Sequence, residues 1–267
     1  MVIPVHDENP VRRTPVVTYL LIAVNVVVFL LSPVAAHVVG SESPQHECRT
    51  LQFFDHWAAK PYELLHNTQL PAATGEVVRV GGHLGCRTVS HPAYRKVPFL
   101  SVLTAMFLHG GWLHLLGNML FLFVFGNNVE DRLGRLRFLG FYVACGYAAT
   151  YGFALFQSSS EQPLVGASGA IAGVLGAYLV LFPRAKVLSL LTFLFFLPVR
   201  LPAWVVLGGW FVLQYLYFRG AGVAAGPSVA YGAHVVGFVV GAVTVWGHRN
   251  TGVRRPLPPP RWGPYRS

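Results

Sequence analysis

Long apolar runs separated by short polar, Gly- and Pro-rich stretches dominate the chain. Six such runs occupy residues 16–39, 113–128, 138–156, 168–182, 202–218 and 229–246. A helix needs about 20 predominantly apolar residues to cross a bilayer, so the six runs are predicted as membrane-spanning helices. The second and fourth are short; apolar flanks extend the second, and a loop that dips inward before Ser168 makes up the fourth. A further apolar stretch, 187–199, is bracketed by Arg184, Lys186 and Arg200. With only about 13 residues it is too short to cross, which predicts an interfacial or re-entrant segment.

The pattern predicts an all-α membrane protein, a six-transmembrane-helix bundle with a long external first loop. Residues 1–15, with Pro4, Pro10 and Pro15, form an irregular cytoplasmic arm, and 16–247 form the six-span domain with its external loop at 40–98. Residues 248–267 form a basic, Pro-rich cytoplasmic tail. The first run exceeds the 7–15 residues of a secretory h-region and is therefore read as a retained span. In the external loop, Phe53, Phe54, Trp57, Ala58, Tyr62, Leu64 and Leu65, broken by Pro61, predict short amphipathic helices at the membrane interface.

Composition agrees: 54% of the residues are hydrophobic and 11% charged, which excludes a soluble core with a charged surface. The net charge of +10 would suit a nucleic-acid partner if it were clustered on one folded face, but the basic residues are sorted by loop. Arg12 and Arg13, then Arg132, Arg135 and Arg137, then Arg184, Lys186 and Arg200, and finally the tail arginines fall on alternate connections. The short connections on the other side hold Arg219 alone. By the positive-inside rule both termini are cytoplasmic, the partner of the basic charge is the lipid bilayer, and no nucleic acid is expected. Cys48 and Cys86 share the external loop, where an oxidising compartment would allow a disulfide. His37, His46, His56, His66, His83 and His91 scatter through or beside it without any compact zinc spacing, so no metal and no cofactor are expected.

The candidate chemistry lies in four polar residues inside apolar segments. Gly166-Ala167-Ser168-Gly169 opens the fourth run. Taken alone, Ser168 reads first as a member of a small-residue packing face continued by Gly169, Gly173 and Gly176; the company of the other three polar residues changes that reading. His114 and Asn118, four apart, share one face of the second span, and His234 heads the sixth, ahead of Gly237 and Gly241. The charge-derived topology sets all four near external helix ends, where lipid exposure would be unfavourable and convergence on a wet cavity is expected. Ser168 is then a nucleophile with His234 as its base. His114, Asn118 and the Ser168 N–H form an oxyanion site. His109 pins the preceding loop, Gly166 and Gly169 allow close approach, and Trp210 and Phe211 on the fifth span are a candidate lateral gate. No acidic residue lies within a predicted span, and only Glu161 precedes Ser168 closely, so the reading is a Ser–His dyad. The same inventory excludes paired intramembrane aspartates and a His-Glu-x-x-His zinc site.

These residues resemble the rhomboid intramembrane serine proteases. The resemblance rests on His-Gly-Gly-Trp-Leu-His-Leu-Leu-Gly-Asn at 109–118, Gly-Ala-Ser-Gly at 166–169 and Gly-Ala-His at 232–234 with Gly237 and Gly241, on six spans in this order. It implies a rhomboid-like bundle, serine endopeptidase activity toward single-span or multi-span membrane proteins near their external boundary, and the same Ser168, His234, His114 and Asn118 roles. Two departures stand out: Leu100-Ser101 replaces a Trp-Arg pair frequent in the family, and Ala172 replaces a Tyr that packs on the histidine in some members, a place Tyr231 could take. The alternative is a non-catalytic relative that binds transmembrane segments. A bacterial inner membrane is the expected location.

Overall fold

The computed structural model describes residues 2–36, 43–192, 195–220 and 229–250; His37 and the Pro-rich tail from 251 onward lie outside them. The order is β1 (Val2–Asp7), α1 (Val16–Leu31), α2 (Pro44–Trp57), α3 (Pro61–His66), β2 (Ala72–Val80), β3 (His83–Val89) and α4 (Pro98–Ala105). There follow α5 (Trp112–Phe121), a π-helical turn (Leu122–Gly126), α6 (Asn127–Leu133), α7 (Arg135–Phe156) and α8 (Ser168–Leu181). The order ends with β4 (Lys186–Leu191), β5 (Leu197–Pro202), α9 (Ala203–Phe218) and α10 (Tyr231–Asn250). Each of the six apolar runs folds as a helix over most of its described residues, with Pro15 and Pro202 just before the starts of α1 and α9 and Pro183 just after the end of α8. By length and composition Trp112–Leu133 and Arg135–Phe156 are sufficient to cross a membrane, and Val16–Leu31, Ser168–Leu181, Ala203–Phe218 and Tyr231–Gly247 are shorter apolar helices.

α8 is the centre of the bundle. Every residue from Ala170 to Tyr178 is buried, as expected for a helix apolar on all sides. Its contact with α10 is made by main chain. A Cβ at Gly237 would fall against the Gly169 carbonyl oxygen, one at Gly241 against that of Gly173, and one at Gly176 against that of Phe238. Only hydrogen at these positions lets the helices approach so closely, the arrangement by which small residues replace a hydrophobic driving force in lipid. The small-residue face of α8 is therefore real, and it is what carries Ser168 to α10.

At the opposite end of the bundle, away from Ser168, the buried Glu130 carboxylate caps α1. It accepts from Val17 N–H (3.0 Å), Thr18 N–H (2.7 Å) and the Thr18 hydroxyl (2.8 Å). A negative group on the free N–H groups of a helix start satisfies both their hydrogen bonding and the helix dipole. Asp131 accepts from the Arg12 and Arg13 amides, and Arg200 pairs with Glu8 at 2.6 Å. The basic connections singled out by the charge pattern thus meet at one end.

Two expectations are corrected here. The fold is not all-α: the arm at 1–15 contains strand β1, and the apolar stretch expected to be interfacial or re-entrant contributes the paired strands β4 and β5. β4 lies between β1 and β5 in an antiparallel sheet. Val187 and Ser189 are fully buried while Leu188 and Leu190 are partly exposed, the period-2 alternation of a strand. Pro4, which cannot donate to a ladder, sits on the edge strand β1 beside its register shift. Between α1 and α4 lie the expected helices, α2 and α3, and in addition the hairpin β2–β3, closed by Gly81-Gly82 and fastened to α2 by the Cys48–Cys86 disulfide. Lys96 ties the end of this layer inward through Glu63 (2.6 Å), both side chains buried; burial holds the Lys96 ammonium below the usual lysine range, against the pull of Glu63.

Gly241→Leu is expected to lower the unfolding temperature in detergent by the equivalent of about 1–3 kcal/mol of overpacking. Gly247→Leu, whose added Cβ meets nothing within 4 Å, should leave it unchanged. Equal melting of the two variants would show that the crossing tolerates a side chain.

Candidate active site

Ser168 is the first residue of α8, and the segment delivering it is held by main-chain bonds. Leu164 N–H donates to Ala59 O (2.7 Å) and Gly166 N–H to Ala105 O (2.9 Å). Gly166 has φ +121°, a backbone geometry that disfavours a side chain, and a Cβ there would lie 2.8 Å from His114 Nε2. Gly166 therefore serves twice, turning the chain into α8 and making room for the imidazole. At the helix start the Ser168 amide has no intrahelical acceptor, so it remains a donor beside its own hydroxyl.

His234 lies in the first turn of α10. Its Nε2 is 2.8 Å from Ser168 Oγ, and its Nδ1 is 2.7 Å from Gln214 Oε1 on α9. An amide oxygen can only accept, so Nδ1 carries the proton and Nε2 presents a lone pair to the serine hydroxyl. The ring is bounded by Trp210 at 5.8 Å between centroids, tilted by 33°, and by Tyr231 at 6.2 Å and nearly perpendicular. Both aromatic rings therefore pack on the histidine, Tyr231 edge-on and Trp210 tilted over it.

His114 has the opposite tautomer. Its Nδ1 accepts from Gly110 N–H at 3.3 Å, which leaves the hydrogen on Nε2, the atom beside the Gly166 turn. One helical turn on, Asn118 is buried, and its Nδ2 finds no hydrogen-bond partner among the described residues. A buried donor left open is unfavourable for stability and is the kind of group a reaction intermediate can use. His109 is buried and packs edge-on against His114 at 5.1 Å, holding the ring in place. Trp210 and Phe211 do not simply wall the bundle. Trp210 lies over His234 and Phe238, and Phe211 stacks on Phe238 at 4.7 Å, so both pack on α10. Glu161 is exposed in its loop, and the His234 nitrogen it could have served is occupied by Gln214.

Residues 97–250 match the family profile described as the Rhomboid domain. The chain belongs to the rhomboid family. It is therefore a helical, membrane-integral protein. Similar proteins include "Rhomboid protein 1, mitochondrial" of Saccharomyces cerevisiae, 34% identical over 153 residues, covering 55% of this chain and 41% of that one. "RHOMBOID-like protein 6, mitochondrial" of Arabidopsis thaliana is 36% identical over 106 residues (38% and 34%), and "Rhomboid protease GluP" of Bacillus subtilis 44% over 78 residues (29% and 15%). The chain thus spans less than half the length of these relatives. Two of them are mitochondrial by name and one is bacterial, so they do not single out a bacterial inner membrane.

Gln214 is the site residue that sequence reasoning missed. The signal was present: it is four residues after Trp210, on the same face of α9, in a span otherwise apolar and aromatic.

A fluorophosphonate is expected to label this rhomboid protein at Ser168 and not at Ser158, Ser159 or Ser160. His234→Ala should slow the labelling, because the hydroxyl then lacks a proton acceptor; mass spectrometry of the adduct reads both.

Proposed function

We propose that this chain is an intramembrane serine endopeptidase that hydrolyses peptide bonds of membrane-protein substrates near their external boundary. The observation that carries the reading is the 2.8 Å contact between Ser168 Oγ and His234 Nε2. In the proposed reaction Ser168 Oγ attacks the scissile carbonyl carbon while its proton passes to His234 Nε2. The carbonyl oxygen, now negative, accepts from His114 Nε2–H, Asn118 Nδ2–H and the Ser168 N–H. Collapse breaks the C–N bond, and His234 returns the proton to the leaving amine. Water, deprotonated by the same nitrogen, then releases the acyl group from Ser168.

The working topology is six spans within 16–247, with both the 1–15 arm and the 248–267 tail cytoplasmic, as the sorting of basic residues supports. Ser168 then sits near the external face, below the loop layer at 40–98. A substrate span arrives laterally and offers an unwound segment, since helical carbonyls are hydrogen-bonded and shielded. α9, with Trp210 and Phe211, is the proposed gate.

Purified protein mixed with a generic single-span substrate should yield site-specific cleavage that Ser168→Ala abolishes. Binding of the substrate without cleavage by the unaltered protein would instead establish a non-catalytic, span-binding member. Asn118→Ala should reduce kcat by about 10²–10³, the usual effect of losing one oxyanion donor, with the melting temperature held. Unchanged turnover in that folded variant would remove Asn118 from the oxyanion site.

A further inference from the structure

The contact between His234 and α9 is not accounted for by a two-residue mechanism. A histidine acting as base through Nε2 must keep its proton on Nδ1, and a free imidazole exchanges between the two tautomers. In soluble serine hydrolases a buried carboxylate fixes the choice. Here the acceptor on Nδ1 is the Gln214 amide oxygen at 2.7 Å, and Trp210, one turn earlier on the same helix, covers the ring. The two α9 side chains thus define the ring's position and its tautomer together. An amide suits this place, because an ionised carboxylate in a membrane-embedded site is strongly disfavoured unless paired, whereas an amide remains neutral.

Resting on the assignment of Ser168 and His234 as nucleophile and base, we propose that Gln214 is a positioning residue. Its amide oxygen holds His234 in the Nδ1–H tautomer and stays on that hydrogen while the ring is an imidazolium. Proton balance is simple: the ring gains one proton at Nε2 from Ser168 and loses it to the leaving amine, and Gln214 exchanges none. Among the described residues, the ionisable groups that act on His234 are His114 on α5 and Tyr231 on its own helix; Ser168 on α8 and Gln214 on α9 are neutral.

The test compares Gln214→Met, which keeps length and apolar packing, with Gln214→Glu, in full-length protein cleaving a single-span substrate across pH. Gln214→Met should lower kcat about 10- to 100-fold, the size seen when a metal-bound histidine loses the partner that orients it, with KM little changed. Gln214→Glu should retain most of the rate and move the acidic limb of the kcat profile to higher pH, because a carboxylate favours the imidazolium and keeps the base occupied longer. A folded Gln214→Met protein with unchanged kcat would overturn the proposal. So would a Gln214→Glu profile with an unmoved limb, which a merely structural glutamine would give. His234→Ala separates the two assignments: full activity there removes the base itself, whatever the Gln214 variants do.

Discussion

The structure depends on how closely two helices can lie in a solvent that gives them no hydrophobic reason to meet. α8 and α10 cross with glycine hydrogen against carbonyl oxygen at Gly237, Gly241 and Gly176. The separation of Ser168 from His234 is therefore set mainly by main-chain van der Waals contact, below which no further approach exists. A site whose reacting atoms must stay within hydrogen-bond reach gains from such a stop, because main chain has none of the rotamer freedom through which side-chain packing drifts. The rest of the molecule supports that crossing from its two ends. Ala59, before α3, and Ala105, at the end of α4, hold the segment that leads through Gly166, and the far end holds α1 through Glu130.

Around that fixed distance the two imidazoles are differentiated by their outer nitrogens. Gly110 gives a hydrogen to His114 Nδ1, and Gln214 takes one from His234 Nδ1. The inner nitrogens consequently differ, one a donor and the other an acceptor, although the rings are chemically the same. A residue type alone would not distinguish the two roles; the partner on the far side of each ring does.

Much of this is legible in the chain. Apolar runs of helical length mark the six apolar helices, with a proline at one boundary of α1, α8 and α9, and Ser168, His114, Asn118 and His234 stand out because polarity inside such runs is unfavourable without a use. Apolar character reads as membrane contact, which masks the alternation in Lys186–Leu191, and β1 is hidden by Pro4, which an edge strand tolerates. The hairpin at 72–89 carries its own sign in Gly81-Gly82, a two-residue turn that follows the β-branched stretch Val77-Val78-Arg79-Val80. Gln214 escapes notice for a different reason: a single amide in an aromatic helix looks like an interhelical hydrogen bond, and its significance lies wholly in which atom it meets.

The amide against His234 has an electrical consequence. A full charge moved across an energised membrane changes energy by about 2.3 kcal/mol per 100 mV, so a carboxylate there would couple the site's depth and assembly to the transmembrane potential. Hydroxyl, imidazole and amide carry no fixed charge. In the resting site that field meets no net charge, and charge appears only while the ring is an imidazolium and the intermediate an oxyanion.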